Sequence, residues 1–302
     1  MNKENFKQSF TGFHDKYYKF LLIIPALLLI FGFVYMFSFY SQHNDFIYKD
    51  ISLSGGTSIT VNDGAVNVNN LQEFLSEKLD EVSVRGVSDL ATQKQVAVII
   101  ETREDKATAQ SVLESYLGYS LNDENSSFEF TGSSLGDSFY NQLLIALMIS
   151  FVLMAVVIFF QFKSFVPSMA VIFSAFADIF LTLVTINLLG IRISSAGIVA
   201  LLMLVGYSVD TDILLTNKVL RREGSTNRKI LESFKTGITM TLIAIVSALV
   251  CLIIAGPYSQ VLYQIFLILL LGLIFDLINT WITNVSIIKW YAERLHKKKN
   301  EN

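Results

Sequence analysis

The sequence predicts a membrane all-α fold of six transmembrane helices, interrupted after the first by an inserted α+β domain. Three observations carry that class. Of 302 residues, 52% are apolar and only 16% charged, with a mean hydropathy of +0.51, above the range of soluble domains. Six windows are apolar enough and, at about 20 residues each, long enough to cross a hydrocarbon core of roughly 30 Å. Between the first two lie about 100 residues, too polar for lipid and too many for an unstructured connection.

The first window, 19–40, follows a short N-terminal segment, 1–18. It reads as a retained spanning helix, because no A-x-A-like cleavage site follows it before SQHNDFIYKD. Residues 41–140 then hold 16 acidic and 6 basic residues and read as an external domain. Its pattern predicts a strand over 47–61, a helix over 68–79, strands over 81–90 and 94–102, a helix over 105–117 and a strand over 126–133. That β-α-β-β-α-β order is the ferredoxin-like plan, here expected as a mixed sheet with one face under two helices. Asn69 or Asn70 caps the first helix, whose Leu71, Phe74, Leu75 and Leu79 recur at helical spacing. Gly55 and Gly56 mark a bulge or a close backbone approach.

The remaining windows, approximately 141–160, 166–189, 193–216, 237–256 and 261–285, form a bundle over 141–289, followed by a basic tail, 290–302. Lysine and arginine set the orientation. With the N-terminus inside, the cytoplasmic pieces hold Lys3, Lys7, Lys16, Lys19, Lys163, the group from Lys218 to Lys235, and the group from Lys289 to Lys299. The two short outer loops hold only Arg192. Both termini are therefore expected in the cytoplasm and 41–140 outside. The tail ERLHKKKN reads as an orientation signal or a contact with the lipid bilayer rather than a nucleic-acid site.

Several chemistries are excluded on residues. No G-x-x-x-x-G-K-[ST] loop cradles nucleotide phosphates, and no nucleophile sits beside a base, so neither ATP hydrolysis nor other covalent catalysis is expected. The histidines at 14, 43 and 296 are scattered, which speaks against a metal, and nothing calls for a cofactor. Cys251 is the only cysteine and reads as a small packing residue.

The candidate site is acidic and lies within the spans. Asp178 falls near the centre of the third, Asp210 and Asp212 in the inner half of the fourth, and Asp276 just past the middle of the sixth. No basic residue occupies any of them. A carboxylate at bilayer centre costs about 2.5 to 3.5 kcal/mol on insertion scales, so such groups face a bundle interior or a cavity. Ser174, Asp178, Thr182 and Thr185 form one stripe at i, i+4, i+8 and i+11, and Gly272, Asp276, Thr280 and Asn284 recur every fourth residue. Thr236, Thr239 and Ser247 form a weaker stripe on the fifth span. Gly237, Thr241, Ala244 and Ala248 give it a small-residue face for close helix approach. These helices are expected to line a shared polar seam. Asp210 and Asp212, about 200° apart on an α-helix, cannot both face it. Two roles are open for the aspartates, an ion or proton site and plain interhelical hydrogen bonding.

The stretches GYSVDTDILLTNKVLRR, SLSGGTSITV and TGSSLGDSFYNQLLIAL resemble the SecF family, particularly its archaeal form, over residues 17 to 290. The resemblance implies half of a resistance-nodulation-division bundle that pairs with SecD beside the SecY-type translocon channel. It also implies assistance to a translocating polypeptide at the expense of a proton or sodium gradient. Asp178 matches the acidic position of the family's third span, and Asp210 the polar or acidic position after Gly-Tyr-Ser. The sequence departs from bacterial SecF where an arginine opens the fifth span, with Gly237 at about that place and only Lys235 nearby. Two other readings fit the same bundle: a standalone exporter of lipids or small molecules, which needs an apolar pocket in the external domain, and a passive scaffold for SecD.

Overall fold

The computed structural model describes residues 20–88, 92, 94–221, 225–256 and 259–300. The segment 1–18, the start of the first span at 19, Arg222 and part of the second outer loop, 257–258, lie outside the described residues. Ten helices, α1 to α10, and four strands, β1 to β4, are described, with a π-helical turn between α9 and α10.

Helix α1 (Ile23–His43) leads through a left-handed Asn44 into the polar insertion. The first predicted strand begins late. Residues Ile51–Ser54 form a short helix, α2, because Asp50 turns the chain by accepting the Ser52 N–H at 3.1 Å, and β1 (Gly56–Val61) starts only beyond Gly55. Gly56 has φ +142°, and a Cβ there would overlap the Thr102 carbonyl oxygen, so the pair of glycines serves close backbone approach. Then follow α3 (Val68–Ser76), β2 (Ser83–Ser88), β3 (Gln95–Thr102), α4 (Lys106–Leu117) and β4 (Ser126–Thr131). The cap of α3 is Asn67, one turn earlier than expected: its extended backbone lets the side chain accept the N–H groups of both Asn69 and Asn70.

The sheet order is β2-β3-β1-β4, and every neighbouring pair is antiparallel, which corrects the expected mixed sheet. The reason is topological. The β1-α3-β2 crossover runs its two strands the same way, but β3 lies between them. One face buries Ile59, Val61, Val98 and Ile100 against Leu71 and Leu75 of α3 and Leu113 of α4. The other face is polar and points at the membrane helices. There Ser58, Arg85, Glu101 and Glu129 line a cavity of about 320 Å³ closed by Ser194, Ser195 and Gln264.

The spans are α1, α5 (Ser133–Phe162), α6 (Phe165–Leu188), α7 (Ser195–Arg221), α8 (Thr226–Ala255) and α9 (Gln260–Ile278), the last continued by the turn Asn279–Asn284 and α10 (Val285–Asn300). Six of these segments are long and apolar enough to cross a bilayer. Both α5 and α8 begin earlier than the hydropathy windows, since their first turns are helical but polar. Helices α6 and α7 are the most enclosed of the spans, and α9 packs on α6, α7 and α8. The sheet domain is stitched to the bundle by backbone: Ile193 N–H donates to Tyr48 O at 2.7 Å and Asp50 N–H to Ile193 O at 2.9 Å. Gln264 reinforces the same corner by accepting from Ser194 and donating to the Arg192 carbonyl.

Candidate functional site

The enclosed faces of α6, α7 and α9 meet in a polar seam between two apolar layers. On the side of the sheet domain Ile186, Ile198, Leu201, Leu204 and Ile268 close it. On the far side Leu215, Val219, Trp281, Val285 and Ile288 do the same. Within it Asp178 and Asp212 are fully buried, and Asp276 is 1% exposed.

Each carboxyl group is held by named donors. Asp178 accepts from Ser208 Oγ at 2.5 Å on one oxygen and from Asn279 Nδ2 at 2.6 Å on the other. Asp212 takes two bonds on Oδ1, from Asn284 Nδ2 at 2.7 Å and from Thr280 Oγ1 at 2.8 Å. Thr280 Oγ1 also lies 3.2 Å from Asp276 Oδ1. A hydroxyl has one proton, so it cannot donate to two carboxylates at once. Both contacts are satisfied together when Asp276 carries a proton and donates it to Thr280, which then donates to Asp212. Thr280 thus bridges the two acids. Ser174 faces Asp212 across the seam, and Thr216 Oγ1 is buried without a hydrogen-bond partner on the same helix as Asp212.

The placement of the expected residues is mixed. Asp178, Asp212, Asp276 and Thr280 come together, and Ser174 is buried on the same face of α6 as Asp178. Thr182 is buried too, but its hydroxyl donates to the Asp178 carbonyl of its own helix at 2.6 Å and holds nothing across the seam. Asp210 points away. It is exposed on the opposite side of α7, where it lines a groove of about 540 Å³ between α7, α8 and α9 together with Thr211, Met240, Thr241, Leu273 and Asp276. Asp276 is therefore shared between groove and seam. The stripe on α8 does not reach the seam: Thr236 and Thr239 are exposed and donate to carbonyls one turn back. Cys251 is half-buried in the groove wall.

Ser208, Thr216 and Asn279 are additional members of the seam. The first two had a signal, since Ser208, Asp212 and Thr216 recur every fourth residue. The third had a weaker signal: Asn279 is i+3 from Asp276, on the same face but beside the every-fourth-residue stripe. At Gly237 the packing excludes a side chain: a Cβ would stand 2.5 Å from Trp281 Cζ2 and 3.0 Å from Thr211 Cγ2. No lysine or arginine among the described residues bonds to a seam carboxyl.

Six spans, a polar insertion after the first and acids shut inside the bundle define a multi-pass membrane protein of the transporter-like kind, with a small antiparallel α+β domain on one side. The model of the family described as protein export membrane protein SecD/SecF, C-terminal, matches residues 110–294. Protein-export membrane protein SecF from Methanocaldococcus jannaschii is 36% identical over 94% of this chain and 99% of its own. Those of Haloquadratum walsbyi and Pyrococcus furiosus are 34% and 32% identical, over 90% and 92% of this chain and 91% and 92% of theirs. The chain belongs to the SecF family of protein-export membrane proteins. Its fold is shared with the crystal structure of SecDF, a translocon-associated membrane protein from Thermus thermophilus, at a TM-score of 0.67 and 20% identity, covering 93% of this chain and 38% of that one.

Proposed function

We propose that this chain is the SecF half of a SecD/SecF accessory complex, working beside a SecY-type translocon channel on a translocating polypeptide in the cell membrane. Its termini lie in the cytoplasm and its sheet domain outside, a reading supported by the distribution of lysine and arginine. An ion gradient drives it through the seam. The observation that carries this reading is the set of three buried carboxyl groups, Asp178, Asp212 and Asp276, linked through the neutral side chains of Ser208, Asn279, Thr280 and Asn284. Burying acids at this depth is expensive, and a charge crossing the membrane under 100 mV supplies about 2.3 kcal/mol to work against it. A standalone exporter is disfavoured by the cavity under the sheet, where four charged side chains, Asp50, Arg85, Glu101 and Glu129, and four serines outnumber the apolar Ile51, Ala196 and Val261.

The test is export of a secreted substrate into vesicles containing the chain and its partner, with and without an imposed gradient. Asp178→Asn and Asp212→Asn abolish the response to the gradient while the complex still assembles. Retention of that response in both variants establishes the passive-scaffold reading instead.

A further inference from the structure

The turn Asn279–Asn284 interrupts an otherwise α-helical span. In a straight α-helix five residues turn through about 500°, leaving Asn279 and Asn284 about 140° apart. A helix that aimed one amide at the seam would carry the other away from it. A π turn closes its hydrogen bonds over five residues, as the Val285 N–H does onto Thr280 O, and so stacks residue 284 beneath residue 279. As a result Asn279 reaches Asp178 on α6 while Asn284 reaches Asp212 on α7. One helical distortion holds two acids on two different helices.

The side chain at 279 also suits both charge states of its partner. Its NH2 group donates to Asp178 Oδ1, the bond an ionised carboxylate needs. Its own Oδ1 is fully buried and accepts nothing, so an amide turned over by 180° offers an acceptor to a protonated Asp178. A leucine presents neither face, and a serine hydroxyl, which can donate or accept, is too short to reach Asp178 from this position. The end of the turn continues into α10, which packs on α6, α7 and α8.

Building on the ion-coupled reading above, we propose that Asn279 is a positioning residue for the ion-linked step. It acts through Asp178, and the π turn that begins at it keeps Asn284 on the same side, against Asp212. A change of charge on Asp178 reverses the Asn279 amide, and the turn passes that change to Asn284, Asp212 and α10. Asp178 is faced by Asp212 from α7 and Asp276 from α9, and no lysine, arginine or histidine stands beside it among the described residues. Asn279 and Ser208 are thus the two donors that favour the ionised form, and of the two only Asn279 lies on the π turn.

The experiment uses the chain with its partner in vesicles and follows gradient-driven export across a range of pH. Asn279→Leu keeps the branched shape and removes both faces. The pH of half-maximal export moves by about one unit toward alkaline, as expected for a carboxyl group that has lost a donor to its charged form. Asn279→Gln, which retains both faces on a longer stem, returns the midpoint toward the wild type. If Asn279→Leu does not assemble, Asn279→Ser, too short to reach Asp178, gives the same displacement. A rate lowered by one factor at every pH, with the midpoint unmoved, makes Asn279 a packing residue and overturns the inference alone. A wild-type complex that ignores the gradient overturns the ion-coupled reading as well.

Discussion

The bond between Asn284 and Asp212 gives a prediction whose size reports the chemistry of the seam. Its partners are fully buried and its length is 2.7 Å, so no competing water weakens it. A hydrogen bond to an ionised group is worth about 1.5 to 3 kcal/mol, whereas polar contacts between membrane helices average about 0.6 kcal/mol. Truncating Asn284 to alanine also opens a small cavity, and truncating Asp212 frees Thr280, so neither single variant isolates the bond. The double-mutant cycle of Asn284→Ala with Asp212→Ala does, because the cavity terms cancel. Reversible unfolding of the purified chain in mixed micelles supplies the four free energies. We expect a coupling of about 1.5 to 3 kcal/mol at alkaline pH, falling toward about 0.6 kcal/mol in acid as Asp212 loses its charge. Additivity within about 0.3 to 0.5 kcal/mol at every pH refutes the geometry, since residues without a shared contact behave in that way.

Two further predictions test the packing and the sheet domain. Gly237→Val forces α8 off Trp281 and Thr211 and lowers the unfolding free energy in micelles by about 1 to 3 kcal/mol; unchanged stability shows that α8 stands farther away. Glu101 titrates above the usual carboxylate value, first because it is buried and second because of Asp50, with Arg85 opposing both. An acid whose folded value is raised binds more protons folded than unfolded. Stability of the sheet domain, followed by amide exchange of β3, therefore falls as pH rises from the ordinary value of 4.5 through the raised one, and is flat below that range. Glu101→Gln removes this slope, and a slope that persists assigns it to another group.

Much of this molecule is legible in its sequence, for identifiable reasons. The spans follow from hydrophobic length alone. The insertion's order of elements follows from period-two and period-3.6 patterns, as at Ile59–Val61 and Leu71–Leu75. What sequence leaves hidden is mostly a matter of angle. That Asp210 and Asp212 part company on α7 follows from 100° per residue, but which one turns inward depends on where α6 and α9 pack, and composition does not encode that. The resemblance favoured Asp210, and the packing puts Asp212 in the seam. Asn279 escaped because counting every fourth residue passes over the i+3 neighbour of Asp276, and the π turn that starts there re-phases the residues that follow. The strand expected over 47–61 failed for a local reason: Asp50 can satisfy a helix N-terminus, and period-two alternation does not weigh capping.

The two amide-to-carbonyl links joining Tyr48 and Asp50 to Ile193 have a mechanical consequence. Ile193 stands two residues ahead of the helix that carries Ser208 and Asp212, so a tug on the polar lobe arrives at that helix through main chain rather than through slack loop. The attachment is short and stiff, and it loads the helix near its end, where a small tilt is amplified along its length. The polar lobe and the helix bearing two of the seam's side chains are in this way joined by one continuous run of main chain.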